Sequence, residues 1–146
     1  MASENKAVEL ALRSVHHMLE NDPFSQWLGV EIVHLAPGEV TLEMAVRREM
    51  LNGFGVIHGG VLFALADSAF AFASNSHGRV SLALECNITF MEKVLEGDRI
   101  QAVAREERCG RHIGVYTITL LRNGREKVAL FRGSVFRTGR PVVETE

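Results

Sequence analysis

Between Gly60 and Ser74 the chain is apolar at almost every position, in runs such as Val61-Leu62-Phe63-Ala64-Leu65-Ala66 and Ala69-Phe70-Ala71-Phe72-Ala73, and only Asp67 and Ser68 interrupt it. Leucine and alanine favour a helix, and a helix apolar on every side has to be buried. At roughly 15 residues the run is short of the 20 or so that cross a bilayer. The pattern therefore predicts a central helix wrapped by the rest of the domain. It ends near Ser74-Asn75-Ser76-His77-Gly78.

A second helical pattern runs from Glu4 to Glu20, where Val8, Leu10, Ala11, Val15, Met18 and Leu19 recur near helical spacing and Ser3 is the candidate N-cap. His16 and His17 fall on its polar side. Asn21-Asp22-Pro23 ends it, because proline cannot continue the helical ladder. Elsewhere the pattern is that of short strands, and Val40, Leu42, Met44 and Val46 alternate with Thr41 and Glu43. Strands are expected over Gly29 to Leu35 and Glu39 to Val46, joined across the turn Ala36-Pro37-Gly38. Val80 to Phe90 alternates, with Leu82, Leu84, Cys86, Ile88 and Phe90 opposite Ser81, Glu85, Asn87 and Thr89. Arg99 to Glu107, His112 to Leu121 and Glu126 to Arg137 complete the set, the last two joined by the hairpin signal Asn123-Gly124. Those two read as apolar on both faces over Val115 to Leu121 and Val128 to Val135, which predicts cover by the helix within and another subunit outside. Residues 138–146 read as a tail. The expected fold is α+β: one domain over residues 1–146, with an N-terminal helix in 1–22 and an antiparallel sheet of about six strands around the central helix.

Composition changes this picture little. A chain of 146 residues, 47% hydrophobic and 23% charged, is an ordinary single globular domain. Its net charge of −2 gives no global reason to expect nucleic acid or an anionic membrane as partner. Two cysteines without paired spacing, Cys86 and Cys109, argue against a disulfide framework or a zinc cage and fit a reducing compartment. The opening MASENKAVEL carries no export signal, so the cytoplasm is expected.

The chemistry concentrates where the central helix begins. Asn52-Gly53-Phe54-Gly55 and His58-Gly59-Gly60 form a glycine-rich loop running into it. A helix N-terminus leaves N–H groups unpartnered and carries partial positive charge, and glycines at 59 and 60 let a ligand approach them. Such a place suits an anion, or an oxygen that becomes anionic during reaction; a tight turn under crowded packing is the plainer alternative. Asp67 is the second feature, because a carboxylate among apolar neighbours is costly unless partnered and its pKa is pushed upward by desolvation. Seven residues separate Gly60 from Asp67, which sets them on nearly one helix face but about 10 Å apart at 1.5 Å per residue. Groups acting on one carbonyl must lie within about 3–3.5 Å of the reacting atoms. Two central helices lying antiparallel would meet that need, so the expectation is an active site shared across a symmetric dimer. Asn52 and His58 can hold a substrate carbonyl or orient water, with His58 read as a positioning or loop-supporting group before a proton carrier.

The run Asn52-Gly53-x-Gly55-x-x-His58-Gly59-Gly60-x-x-Phe63-x-Leu65-Ala66-Asp67-x-Ala69-Phe70-Ala71 resembles the active-site segment of hotdog-fold acyl-CoA thioesterases, and most of all the phenylacetic acid degradation thioesterases. Gly114-Val115-Tyr116 and Val128-Ala129-Leu130-Phe131-Arg132-Gly133 are similar to that subfamily too. The resemblance implies a hotdog fold, dimers with a continuous sheet that usually pair into homotetramers, and hydrolysis of aryl- or acyl-CoA thioesters without metal or organic cofactor. Phenylacetyl-CoA or hydroxyphenylacetyl-CoA is the substrate it points to. It places the catalytic carboxylate on Asp67, as general base or nucleophile, the oxyanion donor on the Gly59 N–H beside Gly60, and the loop asparagine and histidine on Asn52 and His58. Where some relatives carry a water-orienting hydroxyl on the following strand, this sequence has Ala83, with Ser68 and Ser81 nearby. CoA phosphates call for cations; Arg105, Arg108 and Arg111 form the local patch, with a solvated surface as the alternative. Rival readings are a hotdog-type enoyl thioester dehydratase or hydratase, which usually carries glutamate on the helix, and an acyl-CoA-binding module without catalysis.

Overall fold

The computed structural model describes residues 2–144. In chain order the elements are α1 (Ala2–Glu20), α2 (Pro23–Leu28), β1 (Glu31–Ala36), β2 (Glu39–Ala45), a 3₁₀ turn (Arg48–Met50), α3 (Gly59–Asn75), β3 (Arg79–Phe90), β4 (Arg99–Cys109), β5 (Ile113–Arg122) and β6 (Glu126–Pro141). The strands form one six-stranded sheet in the order β1-β2-β4-β5-β6-β3, with every neighbouring pair antiparallel. The chain leaves the sheet after β2, crosses one of its faces as α3, and returns as β3 on the edge opposite β1. Crossing places the apolar helix against the inward residues of the sheet. Leu62, Leu65, Ala69, Phe70 and Phe72 of α3 are buried with Leu42, Met44, Ile100, Ile118 and Phe131 of the strands. One contact is unusually close: a Cβ built on Gly133 of β6 would lie 2.6 Å from the Phe70 ring, so any side chain there would have to displace that ring.

Several expectations are corrected. α1 begins at Ala2, so Ser3 lies inside the helix rather than capping it. Asp22-Pro23 does more than stop α1; Asp22 caps the short α2 and Pro23 opens it, proline's missing N–H being free at a first turn. β6 continues to Pro141, which pairs with Arg79, so residues 138–141 are strand rather than tail. Beyond it Arg13 donates to the Glu144 carbonyl at 2.9 Å, and residues 145–146 lie outside the described residues. The alternation expected through β3 breaks at a bulge between Ala83 and Glu85. Cys86 and Ile88 pack on the core, whereas Leu82 and Leu84 are 55% and 58% exposed. On β5 the inner residues Tyr116, Ile118 and Leu120 are buried, while the outer face, with Thr117 and Thr119, is half-buried and mixed rather than apolar. Finally, α3 is not covered on all sides by its own chain. Gly60 and Asp67 are exposed and Phe63, Ala64 and Ala71 only half-buried, which leaves one stripe of the helix open.

Candidate active site

The loop before α3 is built around Asn52. Its Oδ1 accepts from the N–H of Phe54 at 2.9 Å and of Val56 at 3.4 Å. Its own backbone N–H donates to Val56 O at 2.8 Å, and Gly55, at φ +75°, donates to its carbonyl at 3.1 Å. The Asn52 side chain therefore organises the loop through its oxygen and keeps the amide NH₂ for another acceptor. His58 closes the loop as the N-cap of α3, its Nδ1 accepting from Gly60 N–H at 2.9 Å. A neutral ring bonded in this way carries its proton on Nε2, facing outward.

That cap separates the two glycines. The Gly60 N–H is turned into the His58 ring, whereas the Gly59 N–H finds no acceptor among the described residues. Gly59 forms part of the wall of an open cleft of about 580 Å³ lined by Val56, Ile57, Leu62, Phe90, Met91, Glu92 and Lys93. A Cβ at Gly59 would come within 3.1 Å of the Phe90 ring, which itself borders the cleft. Free donor, helix dipole and missing side chain converge on one point at the cleft wall, an arrangement fitted to a developing oxyanion.

Asp67 stands two turns along α3 on the open stripe. It has no hydrogen-bond partner among the described residues, and its carboxyl is held above the usual carboxylate range, by desolvation first and by the Asp22 carboxylate second. From β3 the Cys86 thiol faces the same region; burial, then Asp67 and Glu85, push its pKa up and keep it neutral. Eight residues from Gly59 to Asp67 correspond to about 12 Å along the axis, so the two groups of one chain do not converge on one reacting atom.

The other expected site residues separate. Ser68 is buried and points to α2, its Oγ 2.8 Å from Ser25 Oγ, so it is engaged in helix packing rather than lining the cleft. Ser81 is buried and donates to Arg79 O at 3.1 Å. Arg105, Arg108 and Arg111 are exposed. The tip carrying Arg111 is tied to the start of β3 by Arg79, which donates to Arg111 O at 3.2 Å. This basic tip thus lies at the C-terminal end of α3, far from the chain's own Gly59.

At that far end is a cluster the sequence reading missed. Glu106 occupies the inward phase of β4 after Ile100, Ala102 and Ala104, and a carboxylate in an apolar register was the available signal. Its Oε1 accepts from Tyr116 OH at 2.7 Å and pairs with His77 Nε2 at 2.7 Å. His77, Glu106 and Cys109 bring donor atoms within 4.8 Å of one another, the one group among the described residues with the spacing of metal ligands. Glu106 already serves two donors, and Arg79 and Arg137 lie close enough to act on the Cys109 thiol. The cluster is therefore a hydrogen-bonded closure of the helix end.

Comparison with known proteins is consistent across sequence and structure. The thioesterase superfamily model matches residues 54–129. The acyl-coenzyme A thioesterase PaaI of Escherichia coli is 40% identical over 129 residues, covering 88% of this chain and 92% of that protein. The solved structure of the E. coli PaaI protein from the phenylacetic acid degradation operon superposes with a TM-score of 0.89 at 39% identity, over 92% of this chain and 97% of that one. A Streptococcus mutans protein solved bound to acetyl CoA superposes with a TM-score of 0.74 at 27% identity, over 77% and 90% of the two chains.

Proposed function

The chain belongs to the thioesterase superfamily and has the hotdog fold, and on that premise we propose that it hydrolyses aryl- or acyl-CoA thioesters to the free acid and CoA in sites built by two subunits. The carrying observation is the pairing of an uncommitted Gly59 N–H at a cleft with an unpartnered Asp67 too far along the same helix to reach it. Phenylacetyl-CoA or hydroxyphenylacetyl-CoA is the acyl donor we favour, from the 40% identity to PaaI. In this reaction Asp67, as general base for water or as nucleophile, delivers the attacking oxygen to the thioester carbon. The carbonyl oxygen takes up negative charge at the Gly59 N–H, and collapse of the intermediate re-forms the carbonyl and expels the CoA thiolate. In the base route the free acid is formed directly and the proton held by Asp67 passes to the thiolate. In the nucleophile route an acyl anhydride on Asp67 is left, which water then hydrolyses to the free acid. The Asn52 amide and the outward His58 Nε2–H hold the substrate carbonyl or the water. No metal or organic cofactor enters the proposed chemistry, CoA being part of the substrate.

Two features support sharing between subunits. β3 is a 12-residue edge strand with Leu82 and Leu84 exposed, and a long apolar edge is a template for a further strand. A second copy paired there by two-fold symmetry extends the sheet and lays its α3 antiparallel along the open stripe, bringing each Asp67 to the partner's Gly59. The same operation carries the tip with Arg108 and Arg111 toward the partner's Gly59 cleft, where CoA phosphates would enter. Pairs of such dimers would make the homotetramer. Unpaired Cys86 and Cys109 fit a cytoplasmic setting, and no helix among the described residues is long and apolar enough to cross a membrane.

The decisive experiment mixes Asp67→Ala subunits with Gly59→Val subunits and follows thiol release from a panel of acyl-CoAs. Hybrids that recover activity absent from either parent support the shared site; hybrids as inactive as their parents reject it. An unmutated protein that releases no thiol from any acyl-CoA rejects the hydrolase itself.

A further inference from the structure

Asp67 has a carboxylate neighbour that its own helix does not supply. Asp22 caps α2 with Oδ1, which accepts from Ser25 N–H at 2.9 Å. Its Oδ2 accepts from the Ser25 hydroxyl at 2.6 Å. Ser25 has a single hydroxyl proton, committed to Asp22, so in the 2.8 Å contact with Ser68 it is Ser68 that donates. A directed chain of bonds thus runs from Ser68, the residue after Asp67, through Ser25 to Asp22. Both serines are buried. Capping α2 requires only one acceptor on Ser25 N–H; the second oxygen and the buried serine pair exceed that need and join α2 to the middle turn of α3.

We propose that Asp22 is a positioning residue for the reaction, a second carboxylate locked by Ser25 and Ser68 beside the middle of α3 so that it sets the charge state and orientation of Asp67. This rests on the reading of Asp67 as the reacting carboxylate. Facing Asp67 are Asp22 from α2 and the neutral Cys86 thiol from β3. α1 turns Ala11, Ser14 and Val15 inward, and β2, β4, β5 and β6 turn in residues such as Met44, Ala102, Ile118 and Phe131. No cation among the described residues offsets the Asp22 charge at Asp67. Repulsion across this gap adds to desolvation in favouring the protonated form of Asp67, and a carboxylate with a raised pKa is the stronger base toward water.

Asp22→Asn separates the roles, because asparagine caps a helix as well as aspartate does but carries no charge. The midpoint of Asp67 is read by carboxyl-carbon NMR of labelled aspartate, with Asp67→Asn identifying its resonance; the acid limb of kcat/KM is read in parallel. Asp22→Asn should lower that midpoint, because the like charge facing Asp67 is removed, and move the acid limb down with it at unchanged KM. Ser68→Ala should lower kcat and leave KM in place, with Ser68→Thr restoring it. An Asp67 midpoint unmoved by Asp22→Asn overturns the proposal and leaves Asp22 a helix cap. A moved midpoint in a protein that hydrolyses no thioester supports the carboxylate pairing while rejecting the hydrolase reading.

Discussion

Two carboxylates meet the central helix, Asp67 on its middle turn and Glu106 beneath its C-terminal end, and their surroundings are opposite. Burial acts to raise the Glu106 carboxyl, but hydrogen bonds from Tyr116 and His77 outweigh it and hold the group below the usual carboxylate range. Asp67 has desolvation and a like charge against it and no donor to offset them. The ends of the helix differ in the same way. At the C-terminal end the Asn75 amide donates to Ala71 O and Ser81 O and its Oδ1 accepts from Ser81 N–H, while Ser76 donates to Ala73 O and accepts from Gly38 N–H. At the N-terminal end the Gly59 N–H, the Asn52 amide and the outer nitrogen of His58 remain available. Groups satisfied within the chain hold the fold, and groups left unsatisfied are the ones the proposed reaction would use.

The contrast can be broken most directly at Asp67. Asp67→Asn should reduce turnover by about 10²–10⁴-fold, the usual contribution of a positioned acid–base group, with no loss of melting temperature; thiol release and thermal denaturation of the same sample check it. Next comes the loop. Asn52→Ala removes the acceptor of two backbone N–H groups and should lower kcat/KM by about ten- to a hundredfold through misplacement of Gly59, while Glu106 and its partners keep the far end folded. Glu106→Ala should behave in the converse way. It leaves Tyr116 OH and His77 without their acceptor, at a cost of about 1–3 kcal/mol, and should lower the melting temperature by roughly 2–4 °C per kcal/mol with KM retained.

The finest test is the sign of the pH dependence. Because the folded state raises the Asp67 pKa, the stability linked to that group is fully present below its unfolded value and is lost as pH rises through the folded one. Asp67→Asn should therefore gain stability relative to the parent as pH rises toward neutrality. Glu106 is depressed, so its contribution is present above the unfolded pKa and is lost as pH falls through the folded one. The deficit of Glu106→Gln should shrink on acidification. Melting temperatures of the three proteins across pH 3–8 would show the two differences running in opposite directions.

Much of this was legible in the sequence because periodicity reports burial. The run from Gly60 to Ser74 predicted α3 to within a residue at each end, and alternation, apolar runs and turn signals together placed the six strands. What periodicity could not report was which chain does the burying; an all-apolar helix reads the same whether its last stripe meets its own sheet or another subunit. The bulge between Ala83 and Glu85 escaped for a related reason, since inserting one residue reverses the phase and made Leu82 and Leu84 look inward. α2 was hidden because Pro23 stops one helix and starts another with the same ring, and the role of Ser68 was hidden with it. The chemistry at Asp67 and His58-Gly59-Gly60 was visible as residue types, but the division between a capped Gly60 and an open Gly59 depends on where one imidazole points.

The close seat of Phe70 on Gly133 acts as a key in a keyway. Phe70 lies three residues beyond Asp67, so the ring that seats the helix on β6 also sets where the Asp67 turn stands against the sheet. A single added methyl on β6, remote from any reacting atom, would have to lift that ring by several tenths of an ångström and carry the carboxylate with it. The placement of the Asp67 turn is thus gauged by an absent side chain on β6.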